Sequence, residues 1–277
     1  MLRKILTLLD ETPSSISAQR YTVDLALSTN AEVTGIGGVD LPYVEKLMPG
    51  RTGAAAYKAN LEAKLRSQAN DVRQRMQDAF ASECRRNNVA FESLSFEGDP
   101  LEAVISAAQS SDLVIAGHDT AFRGGVREQI SEVLGKLLLM TPRPLIITAD
   151  ELAPTKDTMV AYDGSVPSMR AVQIFALFGV GLGQSIQVLS IDSRPELAAQ
   201  RVATAAEYLR IHGYRTEACP IASEARPSET LSHEIKSRKI RTLVMGTYGH
   251  RGIREFVFGT TTRALVENPP CALFVYH

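Results

Sequence analysis

Short apolar runs alternate with longer amphipathic stretches along the whole 277-residue chain, and the series runs through twice. In the first pass, apolar runs at 4–9, 32–39, 90–96, 113–116 and 144–148 read as strands. Helical spacing fills the intervals at 17–28, roughly 55–87, 101–109 and about 128–140. In the second pass the strands fall at 158–162, 185–191, 216–221, 242–245 and 272–276. Helices lie between them at 167–178, 195–212, 228–237 and 261–267. Strands separated by helices cannot be joined as hairpins. They demand crossovers, hence parallel sheets covered on both faces and right-handed connections. The expected fold class is therefore α/β, with two tandem doubly wound parallel-sheet domains.

The join between the passes, 149–157, is polar and holds Pro154, so residues 1–153 are expected as one domain and 154–277 as the other. Asp10 and Asp163 end the first strand of each half, and Gly117 and Gly246 end the fourth. The first pair is 107 positions apart and the second 83, so the first half carries 24 extra residues. They fall between its second and third strands. Residues 41–56, with Pro42, Pro49, Gly50 and Gly53, read as an inserted loop, and the remainder lengthens the helix after it. That helix is rich in Lys, Arg, Gln and Asn, which suits a solvated outer face.

Composition narrows the function classes. Apolar content of 44% supports two real cores, and a net charge of −1 argues against nucleic acid or an anionic membrane as partner. Without Trp there is little to stack bases upon. Three cysteines (Cys84, Cys219, Cys271), none in a C-x-x-C or Cys/His cluster, read as reduced packing residues in a cytoplasm. The N-terminal apolar stretch is short and ends in Asp10, unlike a signal-peptide core.

The chemistry concentrates after the fourth strand of the second half. Gly246, Gly249 and Gly252 follow the apolar run at steps of three. Gly259 with Thr260, Thr261 and Thr262 then opens a helix. Glycines there let backbone N–H groups approach an anion, and a helix start adds orphan donors and the positive end of the helix dipole. Asp163 ends the strand at which an open α/β sheet forms its ligand crevice. An acid there can accept from a ribose, hold a cation on phosphates, or simply cap the following helix. Arg251 and Arg254 flank the loop and suit either phosphate or solvent.

Gly246-x-x-Gly249, nine residues and then Gly259-Thr260 resemble the nucleotide-binding motif of the universal stress protein family. The resemblance takes in 160–165, Val-Ala-Tyr-Asp-Gly-Ser, and the closing strand at 271–276, and covers most of residues 156–277. It implies a Rossmann-like universal stress protein fold that binds an adenine nucleotide, ATP, with Mg2+. Ala161 and Ile191 would line the adenine, and Asp163 would sit beside the ribose or the metal. Gly246, Gly249, Gly259, Thr260 and Thr261 would hold ribose and phosphates. No catalytic residue is assigned, and hydrolysis, if any, would be slow, because no Gly-x-x-x-x-Gly-Lys-[Ser/Thr] loop is present.

The first half departs from this pattern. Its segments at 97–100 and 112–117 are family-like, but Thr120 stands where Gly249 stands, and Ile130 where Gly259 stands. Side chains there would crowd a phosphate, so one nucleotide per chain is expected, in the second half. His118, Asp119 and Arg123 read as a polar loop. The resemblance also implies that the closing strands of the two halves pair within the chain as a pseudo-two-fold dimer. It leaves a homodimer of whole chains and an unidentified protein partner open. The competing readings are a nucleotide-independent interaction scaffold and a slow ATP hydrolase.

Overall fold

The computed structural model describes residues 1–46, 55–123, 132–247 and 259–277. They divide into two compact units, Arg3–Thr141 and Pro142–His277, the latter joined by Met1–Leu2.

In the first unit, β1 (Lys4–Leu8) leads through α1 (Pro13–Thr29) to β2 (Glu32–Asp40) and a short helix α2 (Leu41–Lys46). The long α3 (Ala55–Arg86), β3 (Phe91–Gly98), α4 (Pro100–Ala108), β4 (Leu113–Gly117) and α5 (Glu132–Met140) follow. The strand order is β3-β2-β1-β4, all parallel, with Leu6 opposite both Thr34 and Val114. The order reverses at β1, so the crevice lies outside the carboxyl ends of β1 and β4.

In the second unit, β5 (Leu145–Thr148) precedes β6 (Thr158–Ala161), α6 (Val166–Phe178), β7 (Ser185–Asp192) and α7 (Pro195–Ile211). Then come β8 (Arg215–Ala222), α8 (Pro227–Ser237), β9 (Thr242–Gly246), α9 (Thr260–Glu267) and β10 (Ala272–Tyr276). The order is β5-β10-β9-β6-β7-β8. All neighbours are parallel except β5 and β10, which run antiparallel with Phe274 opposite Ile146. The equivalent reversal falls between β6 and β9. The core gathers on Phe274, whose ring lies 5.6 Å from Phe175 and 6.4 Å from Phe178.

The alternation read from the sequence corresponds to these elements, with three differences. First, α1 begins at Pro13 rather than at residue 17. Thr12 accepts from the Ser15 amide and Pro13 supplies a preset first turn. Ser14, Ser15 and Ser17 are buried, so the apolar period starts late. Second, the inserted stretch at 41–56 is not all loop. It opens with α2, whose Tyr43 amide donates to Asp40 Oδ1 at 3.0 Å, while 47–54 lie outside the described residues. Third, the compact units divide between Thr141 and Pro142, not at 153/154, because β5 is bound into the second unit through β10.

Candidate functional site

The carboxyl ends of the strands differ between the units. In the first, Leu8, Asp40 and Gly117 are all buried. In the second, Ala161, Ile191, Asp192 and Gly246 are half-exposed at the ends of strands that are otherwise mostly buried.

What closes the first unit is its own chain. After Gly117 a turn (Thr120 N–H to Gly117 O, 3.2 Å) folds residues 119–123 over the crevice. Asp10 Oδ2 accepts the amides of Ala121 and Phe122 at 3.0 and 2.9 Å. Ser14 Oγ donates to Asp119, which has no exposed surface. Phe122 takes a left-handed backbone (φ 59°) and sets its ring edge-on to Phe96 at 4.9 Å. Arg123 Nε reaches Asp40 Oδ2 at 2.8 Å, and its guanidinium lies 4.3 Å over the Tyr43 ring. Burial pushes the Asp10 carboxyl up from its usual range, against the pull of the Ala121 and Phe122 amides. This acid, the counterpart of Asp163, accepts three amides of the chain's own backbone, the third from Glu11 on Oδ1. Thr120 is buried with its hydroxyl unsatisfied among the described residues. Residues 124–131, with Ile130, lie outside the description.

In the second unit Asp163 is half-buried, and its Oδ1 accepts the Ser165 amide at 2.9 Å. Capping of α6 falls instead to Ser165, whose hydroxyl accepts the Ser168 amide at 3.3 Å. Gly246 closes β9 against the start of α6: a Cβ there would stand 2.5 Å from the Ser168 nitrogen and 2.6 Å from the Pro167 carbonyl carbon. Gly117 has the same relation to α1, with the Ser15 nitrogen at 2.5 Å. Both glycines are thus fixed by helix–strand packing, whatever else they do. Gly259 is the N-cap of α9, and among the described residues no side chain caps that helix. Thr260 is exposed and Thr261 half-exposed. Thr262 turns inward and donates to Thr247 O at 2.9 Å. Gly249, Arg251, Gly252 and Arg254 lie outside the described residues.

Sequence reasoning overlooked one group here. Arg201, in α7, donates from a terminal guanidinium nitrogen to Asp192 Oδ2 at 2.9 Å. Its stem passes over the turn after β6, so that a Cβ on Gly164 would lie 3.1 Å from Nε. Asp192 Oδ1 also accepts the Arg194 amide and Nε at 3.0 and 3.2 Å. These contacts, the Arg194 amide foremost, hold the Asp192 carboxyl below the usual carboxylate range. Burial raises the neighbouring Tyr162 phenol, with Asp163 adding to the rise and Arg201 opposing it.

Comparison with known proteins fits this architecture. Residues 154–277 match the model of the Universal stress protein family. That match covers the second half of the chain. Universal stress protein Slr1230 of Synechocystis is 22% identical over 158 residues, 56% of this chain and 54% of that protein. The chain therefore spans about half the length of that curated relative. Among solved structures, a universal stress protein from Archaeoglobus fulgidus DSM 4304 superimposes with a TM-score of 0.71. The identity is 15%, with 99% of this chain and 97% of that one covered. A structure from Pseudomonas aeruginosa UCBPP-PA14 gives 0.58 at 14% identity, covering 99% and 93%. At such identities these two structures establish the fold alone. No helix among the described residues is long and apolar enough to cross a membrane.

Proposed function

We propose that this chain acts as a universal stress protein and binds one adenine nucleotide, ATP, at the carboxyl ends of β6, β7 and β9, in a regulatory or protective rather than strongly catalytic role. The observation that carries the reading is the contrast between the two crevices. One is stitched shut by residues 119–123. The other keeps half-exposed strand ends, an acid at Asp163, and a helix start whose cap is Gly259. Amides at the α9 terminus, which no described side chain caps, suit phosphate oxygens, helped by the helix dipole. Thr260 and Thr261 add hydroxyls beside them. Ala161 and Ile191 offer the apolar surface an adenine ring needs.

Asp163 belongs to no cluster of three metal-ligating side chains among the described residues. A single carboxylate suits Mg2+ that arrives on ATP phosphates, since that ion is held by one or two carboxylates together with phosphate and water. Asp163 would then supply the protein's ligand, and the ion would neutralise phosphate charge.

Calorimetric titration of the full chain with ATP and Mg2+ tests the reading. The expected result is saturable binding that survives in a variant of the closed crevice, Arg123→Met, and is lost in Gly259→Val. Absence of binding by the wild-type protein overturns it.

A further inference from the structure

Each unit ends an equivalent strand on an aspartate, Asp40 in β2 and Asp192 in β7. Each aspartate accepts a nearby backbone amide with Oδ1 at 3.0 Å, from Tyr43 and Arg194 respectively. Each offers Oδ2 to an arginine, at 2.8 Å from Arg123 and at 2.9 Å from Arg201. The source of that arginine differs. In the first unit it arrives on the segment that fills the crevice, so the occupant brings the cation. In the second it comes from α7, a scaffold helix, and is in place whether or not anything occupies the crevice. The occupant of the second crevice therefore meets a guanidinium where the occupant of the first met a carboxylate.

We infer that Arg201, clamped by Asp192, is a ligand-contacting group of the second crevice that donates hydrogen bonds to the base–ribose end of the bound nucleotide. The assignment rests on the nucleotide reading above. Position decides which end of the ligand Arg201 meets. The α9 terminus, suited to phosphate, adjoins β9 on one side of the reversal. Arg201 lies over Gly164 and reaches the end of β7 on the other side. A nucleotide spanning the crevice with its phosphates at α9 turns its nucleoside toward Arg201.

The chemistry agrees. A guanidinium carries five N–H donors in a rigid fork and accepts nothing. Asp192 is Arg201's hydrogen-bond partner among the described residues and occupies one of its terminal nitrogens. The guanidinium lies beside Gly164 at a place that is only partly solvated, Arg201 being 18% and Asp192 15% exposed. Ring nitrogens of a purine and ribose oxygens are acceptors that can take its N–H donors. The Asp192 clamp fixes the fork before the ligand arrives, so little side-chain freedom is lost on binding.

The test compares ATP with adenosine on the full-length protein, by calorimetry, for the wild type and Arg201→Met. The expected result is a fall of about tenfold or more in affinity for both ligands by the same factor, as loss of a charge-assisted contact to the nucleoside requires. If Arg201→Met weakens ATP and leaves adenosine untouched, the contact is to phosphate and the inference is overturned. It is also overturned if both affinities are unchanged while the ligand-free melting temperature falls, since Arg201 is then only a structural partner of Asp192. A wild-type protein that binds neither ligand sinks the nucleotide reading itself, and this inference with it. Should Arg201→Met fail to fold, Arg201→Lys keeps the charge, loses the fork, and is judged by the same criterion, an equal fall in affinity for ATP and for adenosine.

Discussion

Gly246 lies so close to the first turn of α6 that a Cβ built upon it would stand 2.5 Å from the Ser168 amide nitrogen. The obstacle is backbone, which cannot swing aside as a side-chain tip can. Gly246 has no left-handed φ, so the constraint is space and not dihedral freedom. Gly246→Ala is expected to lower stability by about 1–3 kcal/mol, the usual cost of overpacking. Gly117→Ala should behave alike in the first unit, because the Ser15 nitrogen stands at the same 2.5 Å. Urea unfolding of each variant measures this, and unchanged midpoints would show that the helix can retreat freely.

Nucleotide stoichiometry follows from the closed first crevice. To admit a ligand there, residues 119–123 would have to give up the Asp10 contacts to Ala121 and Phe122 and the buried Arg123–Asp40 pair. Removing a buried ion pair's partner is costly, typically several kcal/mol. One ATP per chain is therefore expected by calorimetry, and two sites of comparable affinity would refute the closed-crevice account.

The backbone at Gly259 separates folding from binding. Its φ of −56° and ψ of 147° are open to any residue, so Gly259→Val carries no dihedral strain. A branched side chain at the N-cap would stand in the proposed phosphate path. The variant should melt near the wild type and lose most of its ATP affinity, tenfold or more. Circular dichroism with titration calorimetry checks both halves of the statement. Full affinity in a folded variant would remove the phosphate role of the α9 terminus.

How far the sequence carried these conclusions varied by element. β4 and β9 were legible because Leu113-Val-Ile-Ala and Leu243-Val-Met are unbroken apolar runs, as doubly covered parallel strands require. The start of α1 was obscured by buried serines, and α2 by two prolines nearby that suggested only a loop. At the site, Asp163 and Gly259 stood out through strand-end position and glycine spacing. Arg201 did not. It lies nine positions after Asp192, and only the return of α7 across β7 brings its stem above Gly164. Likewise, Thr120 was readable as an impediment to phosphate. That the first unit's own Ala121 and Phe122 amides satisfy Asp10 depends on a left-handed Phe122 that no local pattern announces.

Asp192 should make stability depend on acid in a defined direction. Its folded carboxyl lies below the reference value of 3.8, chiefly through the Arg194 amide and side chain, with Arg201 contributing charge. A depressed carboxyl stabilises the fold while it is ionised. That contribution is present above the unfolded value and is lost as pH falls through the folded one. Asp192→Asn should thus unfold at lower urea than the wild type near neutral pH. The gap should close as pH drops below about 3.8. A gap independent of pH would mean that Asp192 acts through shape alone.

The antiparallel pairing of β5 with β10 predicts how fragments behave. Leu273, Phe274 and Val275 stand opposite Ile147, Ile146 and Leu145, and all six are buried. A fragment of residues 156–277 lacks β5, so β10 would present an apolar strand with an unpaired row of N–H and C=O groups. Such an edge recruits another strand. The nearest substitute is β10 of a second copy, and the fragment should self-associate in a concentration-dependent way. A fragment of residues 142–277 retains β5 and should associate markedly less. Phe274→Lys would be a poor probe of this edge. Its ring packs against Phe175 and Phe178 in the core, so the substitution would unfold the unit before it reported on pairing. Sedimentation of the two fragments side by side makes the measurement. If 156–277 is a stable monomer, or associates no more than 142–277, the β5–β10 pairing is not what keeps this edge from assembling.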